Sequence, residues 1–414
     1  DEFDDNADES DIELDLNGEE EVDGDIDSSD DPDQSNEDES LDLHLDPDLR
    51  HANLYQWSEE LKPVEINLFT ELVGPKTEDL DLTHESRPID FFNLFFTRDL
   101  VENIATQTNL YATQRQAKNF KLVTTCDIDI FLYLNFMFGI HKLPCYYHYW
   151  STDPLLRVPQ VADAMSRKRY TDIGKYLHIN DNATAVAAGQ DGYDLLFKIR
   201  LVINCVKRAC NTLFRPGAAI SFDETMIPFR GRLWFKQYIK GKPHPWGVKV
   251  WCCCDSATSF LLDFDFYTGK GQADYPHGLG YHVIWTQGQP YLRKNHHFYF
   301  DNFFSSPRLM KDLLDHGTYA CGTVRSNQKH FPKDLRGQLK ANECKMRQVG
   351  NLVATMWRDK RAIHMLSTNA SPVMETVSRK SKGGPIGKQI PQCVEIYNKN
   401  MGGVDRQDQL RSYY

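Results

Sequence analysis

Two aspartates in this sequence stand directly behind short runs of apolar, strand-forming residues: Asp223 after Ile220-Ser221-Phe222, and Asp301 after Phe298-Tyr299-Phe300. A carboxylate just past the end of a strand is held rigidly at the solvent edge of a sheet, and two such strands side by side present a pair. A third carboxylate from a helix would complete an oxygen-rich site for Mg²⁺, which binds through carboxylates, waters and substrate phosphate. Behind the Gly402-Gly403 break a helical pattern begins at Val404-Asp405. Two such ions about 4 Å apart activate an attacking oxygen and stabilise a leaving one in phosphodiester displacement. Taken singly, an aspartate at a strand end more often serves a turn or a helix cap. Spacing alone leaves both roles open.

The neighbouring side chains divide in the same way. Asp408 follows Asp405 by three residues and shares its helix face, either as a further carboxylate near the metals or as a helix-start acid favoured by the dipole. Arg230 and Arg232 could grip phosphate by bidentate hydrogen bonds, or be ordinary surface arginines. Glu224, next to Asp223, should point elsewhere on a strand and is set aside. His296 and His297 precede a buried strand and read as structural or exposed rather than as ligands, because Mg²⁺ prefers oxygen. Trp246 and Trp251 read as core or insertion-facing aromatics rather than base-stacking platforms. None of the ten cysteines sits in a CxxC pair, and Cys252–Cys254 would alternate across a strand. No zinc site is expected; reduced thiols and the lack of a secretory signal indicate an intracellular protein.

Positioning these residues requires a sheet and its helices. Apolar residues at three- and four-residue steps from Ile89 to Ile104 predict one buried helical face beginning near Pro88. Further helices are expected over Asp127–Ile140, Gln160–Leu177 and Tyr193–Leu213, so that 84–215 forms an all-α region. The pattern changes at Pro216. Short strands are expected over 218–222, 247–254 and 260–267, the last two as a hairpin around Asp255-Ser256-Ala257-Thr258, and over 296–300. A helix Leu309–His316 follows. Residues 318–390 carry β-like runs at Tyr319–Val324, Val353–Trp357 and Ala362–Leu366, then a Gly/Lys/Ser-rich stretch, 378–385, expected as a mobile loop.

Charge is unevenly placed. The formal net charge is −12, but residues 1–48 hold 24 Asp and Glu and no Lys or Arg, leaving 35 acidic against 47 basic residues, a net of +12, in 49–414. A basic body can neutralise phosphates and release counterions, or be merely a solvated Lys-rich surface. Residues 1–50 cannot bury enough apolar surface to offset ordering and are expected to be disordered, a solvating tail more than a DNA mimic. The longest apolar run, around Phe131–Ile140, is too short to span a bilayer.

Three sequence blocks carry a family resemblance: Ser221-Phe222-Asp223-Glu224-Thr225-Met226-Ile227-Pro228-Phe229-Arg230-Gly231-Arg232, Phe300-Asp301-Asn302-Phe303-Phe304-Ser305-Ser306 and Asn400-Met401-Gly402-Gly403-Val404-Asp405-Arg406-Gln407-Asp408. In this order they resemble the catalytic blocks of the piggyBac transposases, and further matches extend over about 84–414. The resemblance implies an α/β fold with an RNase H-like catalytic core, a mixed sheet with flanking helices, in two parts, 216–317 and 391–414. A β-rich insertion would occupy 318–390, and 84–215 would serve DNA binding and dimerisation. It implies an Asp223, Asp301, Asp405 triad holding Mg²⁺, or Mn²⁺ in its place, with Asp408 as an auxiliary acid. It further implies cut-and-paste transposition of double-stranded DNA with a TTAA preference, by strand nicking, hairpin formation, hairpin opening and joining, in a nuclear homodimer. Family members continue past the position of Tyr414, so Asp405 is expected to be loosely held here. A domesticated or decayed transposase that binds DNA or chromatin without cutting it is the alternative.

Overall fold

The computed structural model describes residues 55–76, 78, 80, 82–240, 244–269, 275–381 and 384–413; the acidic arm expected over 1–50 lies outside them. The described chain opens as an extended strap to which no element had been assigned. Ser58 bridges to Gln348, the Lys62 N–H donates to Gln348 Oε1 at 2.7 Å, and the Asn67 N–H donates to the Tyr319 hydroxyl at 2.7 Å. The strap ends in β1 (Gly74–Pro75), which pairs antiparallel with β2 (Phe214–Arg215).

Between them lie α1 (Pro88–Phe95), α2 (Arg98–Gln114), α3 (Thr125–Ile140), α4 (Pro159–Ala162), α5 (Arg167–Tyr176) and α6 (Arg200–Leu213). The single helix expected over 89–104 is two, because Thr97 is extended and its side chain caps Leu100 N–H. Ser166 likewise caps Arg169 N–H and splits the span 160–177. Such a cap satisfies donors left unpaired at a helix start. The apolar faces meet in a core that includes Leu100, Ile104, Ile128, Phe131, Leu134 and Ile173. Among the described residues no helix is long and apolar enough to cross a membrane.

The chain then builds β3 (Ala219–Pro228), β4 (Gln237–Tyr238), β5 (Trp246–Asp255), β6 (Leu261–Phe266), α7 (Leu279–Gly288), β7 (His297–Phe300), α8 (Pro307–Asp315), β8 (Tyr319–Thr323), β9 (Cys344–Val349), β10 (Leu352–Arg358) and β11 (Ala362–Ser367). These nine strands form one mixed sheet in the order β4-β5-β3-β7-β8-β11-β10-β9, with β6 also on β5. The β3–β7 and β7–β8 pairs are parallel, and the remaining pairs are antiparallel. The expected hairpin is β5–β6, its turn fixed by Asp255, which accepts the Thr258 N–H at 2.8 Å and the Gly217 N–H at 2.8 Å.

The 318–390 stretch departs from the separate insertion expected of it. β8 to β11 extend the central sheet, since β8 lies parallel to β7 and β11 pairs with β8. Strand patterning had located these strands but carries no information about their partners. The rest of the stretch is a two-stranded ribbon, β12 (Met374–Ser381) and β13 (Gly384–Pro391). The segment 378–385, read as a mobile loop, contributes paired strand residues on both sides of 382–383, which lie outside the described residues. Two helices close the chain, α9 (Gln392–Asn400) and α10 (Gly403–Ser412).

Each face of the sheet is covered. Phe222, Phe298, Phe300, Trp251 and Cys253 pack against α7 and α8 through Ile284, Leu309 and Met310. The opposite face is split into two clusters. On the β5 side, Val250, Cys252 and Cys254 pack with Ile203 and Val404; on the β8 side, Tyr299, Cys321 and Met365 pack with Cys393 and Val394. Asp223 sits on β3 between them.

Candidate carboxylate site

Asp223 lies in the middle of β3 rather than past its end. The strand runs on to Pro228 because β5 pairs with it along its length, Asp223 opposite Cys252 and Pro228 opposite Gly247. Ladder hydrogen bonds to a long partner keep the chain extended where the local sequence alone gave no reason to continue. Alternation places Ser221, Asp223 and Thr225 on one face. The Asp223 carboxylate accepts the Glu224 N–H at 2.8 Å.

Asp301 does follow its strand. In the parallel β3–β7 register Phe222 faces Phe300, and the same register carried one residue further sets Asp301 beside Asp223. Its carboxylate accepts the Phe303 N–H at 2.9 Å, and its carbonyl accepts the Ser305 hydroxyl at 2.9 Å. Burial raises the Asp301 carboxyl above its ordinary pKa, and Glu224 adds to that rise; the Phe303 N–H, Lys249 and Arg325 pull it back down. Tyr397, half-buried on α9, is also shifted upward, first by burial and then by the carboxylates of both Asp301 and Asp223. The two strand aspartates and this phenol therefore share one neighbourhood.

The third block enters through α10. Gly403 is pressed so closely on β3 that a Cβ there would overlap the Ser221 hydroxyl and crowd the Asp255 carbonyl, which only glycine avoids. Val404 is buried behind it. Asp405, one residue on, is exposed. Asp408 turns instead to the strand: it accepts the Thr225 hydroxyl and pairs with Arg411 at 2.7 Å, while Arg411 also donates to the Met226 carbonyl at 3.0 Å. Among the described residues no group of three or more His, Cys, Asp or Glu side chains is gathered to hold a metal ion. The structure thus sets Asp223 beside Asp301, attaches Asp408 to the same strand, and leaves Asp405 facing outward.

The donor chemistry of the strand pair suits a hard cation, since both groups are carboxylates. The competing donors are otherwise engaged or neutral. Burial holds the Cys252 thiol well above its ordinary pKa. His296 Nδ1 lies 3.0 Å from the Gly217 carbonyl and His297 Nδ1 lies 3.1 Å from Asn369 Nδ2, and burial lowers both imidazoles to about 4.

Arg230 and Arg232 are exposed beyond the end of β3. Trp251 is core, with Lys249 Nζ 4.1 Å from its ring centroid. Trp246 is not: it stands at the head of β5 and is 52 % exposed. Sequence reasoning missed Lys249, Arg325 and Tyr397, and set Glu224 aside although its charge reaches Asp301. Only Lys249 carried a signal, as an isolated cation within an otherwise apolar strand.

A mixed sheet with aspartates on neighbouring parallel strands, one within β3 and one just past β7, sets the class of α/β scaffold, and comparison with known proteins narrows it. The family model described as Transposase IS4 matches residues 87–414, and the chain belongs to that family, in its piggyBac-type branch. It is 30% identical over 339 residues to the human PiggyBac transposable element-derived protein 3, covering 78% of this chain and 55% of the relative. It is 30% identical over 362 residues to the human PiggyBac transposable element-derived protein 2, covering 82% and 58%. The chain thus spans about half the length of these curated relatives. A piggyBac transposase solved by cryo-EM as a synaptic complex with hairpin DNA matches with a TM-score of 0.71 at 25% identity, over 83% of this chain and 71% of that one.

Proposed function

We propose that this chain is a metal-dependent cut-and-paste DNA transposase in which Asp223, Asp301 and Asp405 hold Mg²⁺ or Mn²⁺. The observation that carries the proposal is the parallel β3–β7 register, which brings Asp223 and Asp301 side by side in a chain of a transposase family. The central sheet is then an RNase H-like core. A bound divalent ion supplies charge that activates the attacking oxygen and steadies the leaving one. The protein's own part is to fix the two strand carboxylates on a rigid sheet, to supply Asp405 from the first turn of α10, and to keep Asp408 attached to Thr225 and Arg411 as the clamp on that helix. Arg230 and Arg232, exposed beyond the end of β3, would hold phosphates of double-stranded DNA by bidentate hydrogen bonds. A TTAA target preference, a homodimer and a nuclear location complete the proposal by likeness to the family.

Replacing Asp301 with Asn, in a chain extended to family length, is expected to reduce Mg²⁺-dependent nicking of end-containing DNA by at least about 10²-fold. Retained nicking would remove Asp301 from the mechanism. The outward-facing Asp405 favours a second reading, a domesticated protein that binds DNA or chromatin without cutting it. Salt-sensitive gel shifts without cleavage by the extended chain would select that one.

A further inference from the structure

The hairpin edge formed by β4 and the head of β5 exposes aromatic rings that a folded core would normally cover. Trp234 is 70 % exposed, Trp246 52 % and Tyr238 41 %. Tyr238 and Trp246 are cross-strand partners, with ring centroids 5.0 Å apart, and Lys236 Nζ sits 5.3 Å from the Trp246 ring centroid. Trp234 stands edge-on to Phe235, ring centroids 5.8 Å apart, and near Gly269, just past β6, where an added Cβ would meet its ring at 3.6 Å. Residues 229–240 carry Arg230, Arg232, Lys236 and Lys240 and no acidic residue.

The placement of these rings relative to the carboxylates follows from strand alternation. Asp223 faces Cys252 across the β3–β5 ladder, so the two share a face of the sheet, and Trp246 lies on that same face because even-numbered residues of β5 all do. From Cys252 to Trp246 the strand advances about 20 Å at ~3.3 Å per residue. That span equals about six base steps of a DNA strand at ~3.4 Å each.

We propose that Trp234 and Trp246, with Tyr238 and Lys236, form a base-stacking platform for unpaired DNA bases a few nucleotides from the carboxylate site. The proposal rests on the DNA-transposase reading above and deepens it. Exposed aromatic faces interleaved with cations match single-stranded nucleic acid, whose bases offer π-faces whatever the sequence and whose phosphates require positive charge. The same surface is badly suited to a second copy of this chain docking through its own basic edge. A paired duplex hides its base faces, so the ligand is a strand that has been opened next to the site of cutting.

The test measures fluorescence anisotropy of the chain, with EDTA present to prevent cleavage, on two probes: a blunt duplex and the same duplex bearing a 3′ extension of about eight thymidines. The extension is expected to tighten binding by about tenfold or more. Trp234→Ala/Trp246→Ala should abolish that advantage while leaving blunt-duplex affinity unchanged. Trp246→Phe should retain most of it, and Trp246→Leu, equally apolar but without a ring, should lose part of it. Wild-type protein without an extension advantage, or an alanine double variant that keeps it, overturns the platform and leaves the transposase reading standing. Wild-type protein that binds neither probe overturns both.

Discussion

A carboxylate buried beside a second one destabilises a protein until a cation joins them. Asp301 shows the strain as a raised pKa, caused by burial with Glu224 adding to it. The stability linked to such a group is present below its ordinary pKa and is lost as pH rises through the raised value. Asp301→Asn should therefore raise Tm by roughly 1–3 °C once the pH is above that raised value, with a gain that shrinks as pH falls back to the ordinary carboxylate range. Millimolar Mg²⁺ should raise the Tm of the wild type and not of the variant; an equal rise in both would show that the ion binds elsewhere. His296 has the opposite sign. Its imidazole is depressed to about 4, so its contribution is intact above about 6.5 and is lost as pH falls from there to 4, worth up to about 3 kcal/mol. Denaturant melts along that limb should steepen for the wild type and flatten for His296→Gln. At this scale the sequence disclosed which residue types could coordinate a hard cation, because that is a property of side-chain chemistry. It did not disclose that Asp405 faces solvent while Asp408 is bound to Thr225 and Arg411, because helix rotation is set by what packs beneath the helix.

Among the elements, α10 is placed by one close contact. Gly403→Ala puts a methyl against the Ser221 hydroxyl and the Asp255 carbonyl and should cost about 1–3 kcal/mol by overpacking. Ser221→Ala should recover part of that loss in a double-mutant cycle measured by urea denaturation; strict additivity would refute the contact. Helices and strands were legible where their signals are local. β5–β6, β10 and β11 were read to within a residue or two, as was α8, whose Ser306 cap and Pro307 are written in the chain. α1 and α2 were merged because the apolar period continues across Thr97, and the cap that separates them involves a single hydrogen bond. β3 was read too short because its second half, Asp223 to Pro228, is extended by its pairing with β5.

For the molecule as a whole, the strap 55–76 ties the start of the described chain to the far side of the sheet. Gln348, buried on β9, accepts from the Lys62 N–H and donates to the Lys62 and Gly350 carbonyls. Gln348→Ala should leave those groups unpaired, cost about 1–3 kcal/mol, and make limited proteolysis within 55–76 about tenfold faster; unchanged cleavage would show that the strap is held by its other contacts. No periodicity announced this segment, since an extended chain bound by scattered side chains has none. The sequence by itself determined the alternation of helical and β regions, the apolar strands and the acids that follow or interrupt them, and the family to which those words belong. Tertiary structure alone decided that β8 to β11 join one sheet with β3 and β7, that Asp301 stands next to Asp223, and that Trp246 is a surface ring. The physical reason is range: propensity, capping and side-chain chemistry act within a few residues, whereas strand partners and exposure are fixed by contacts between segments that the chain itself holds far apart.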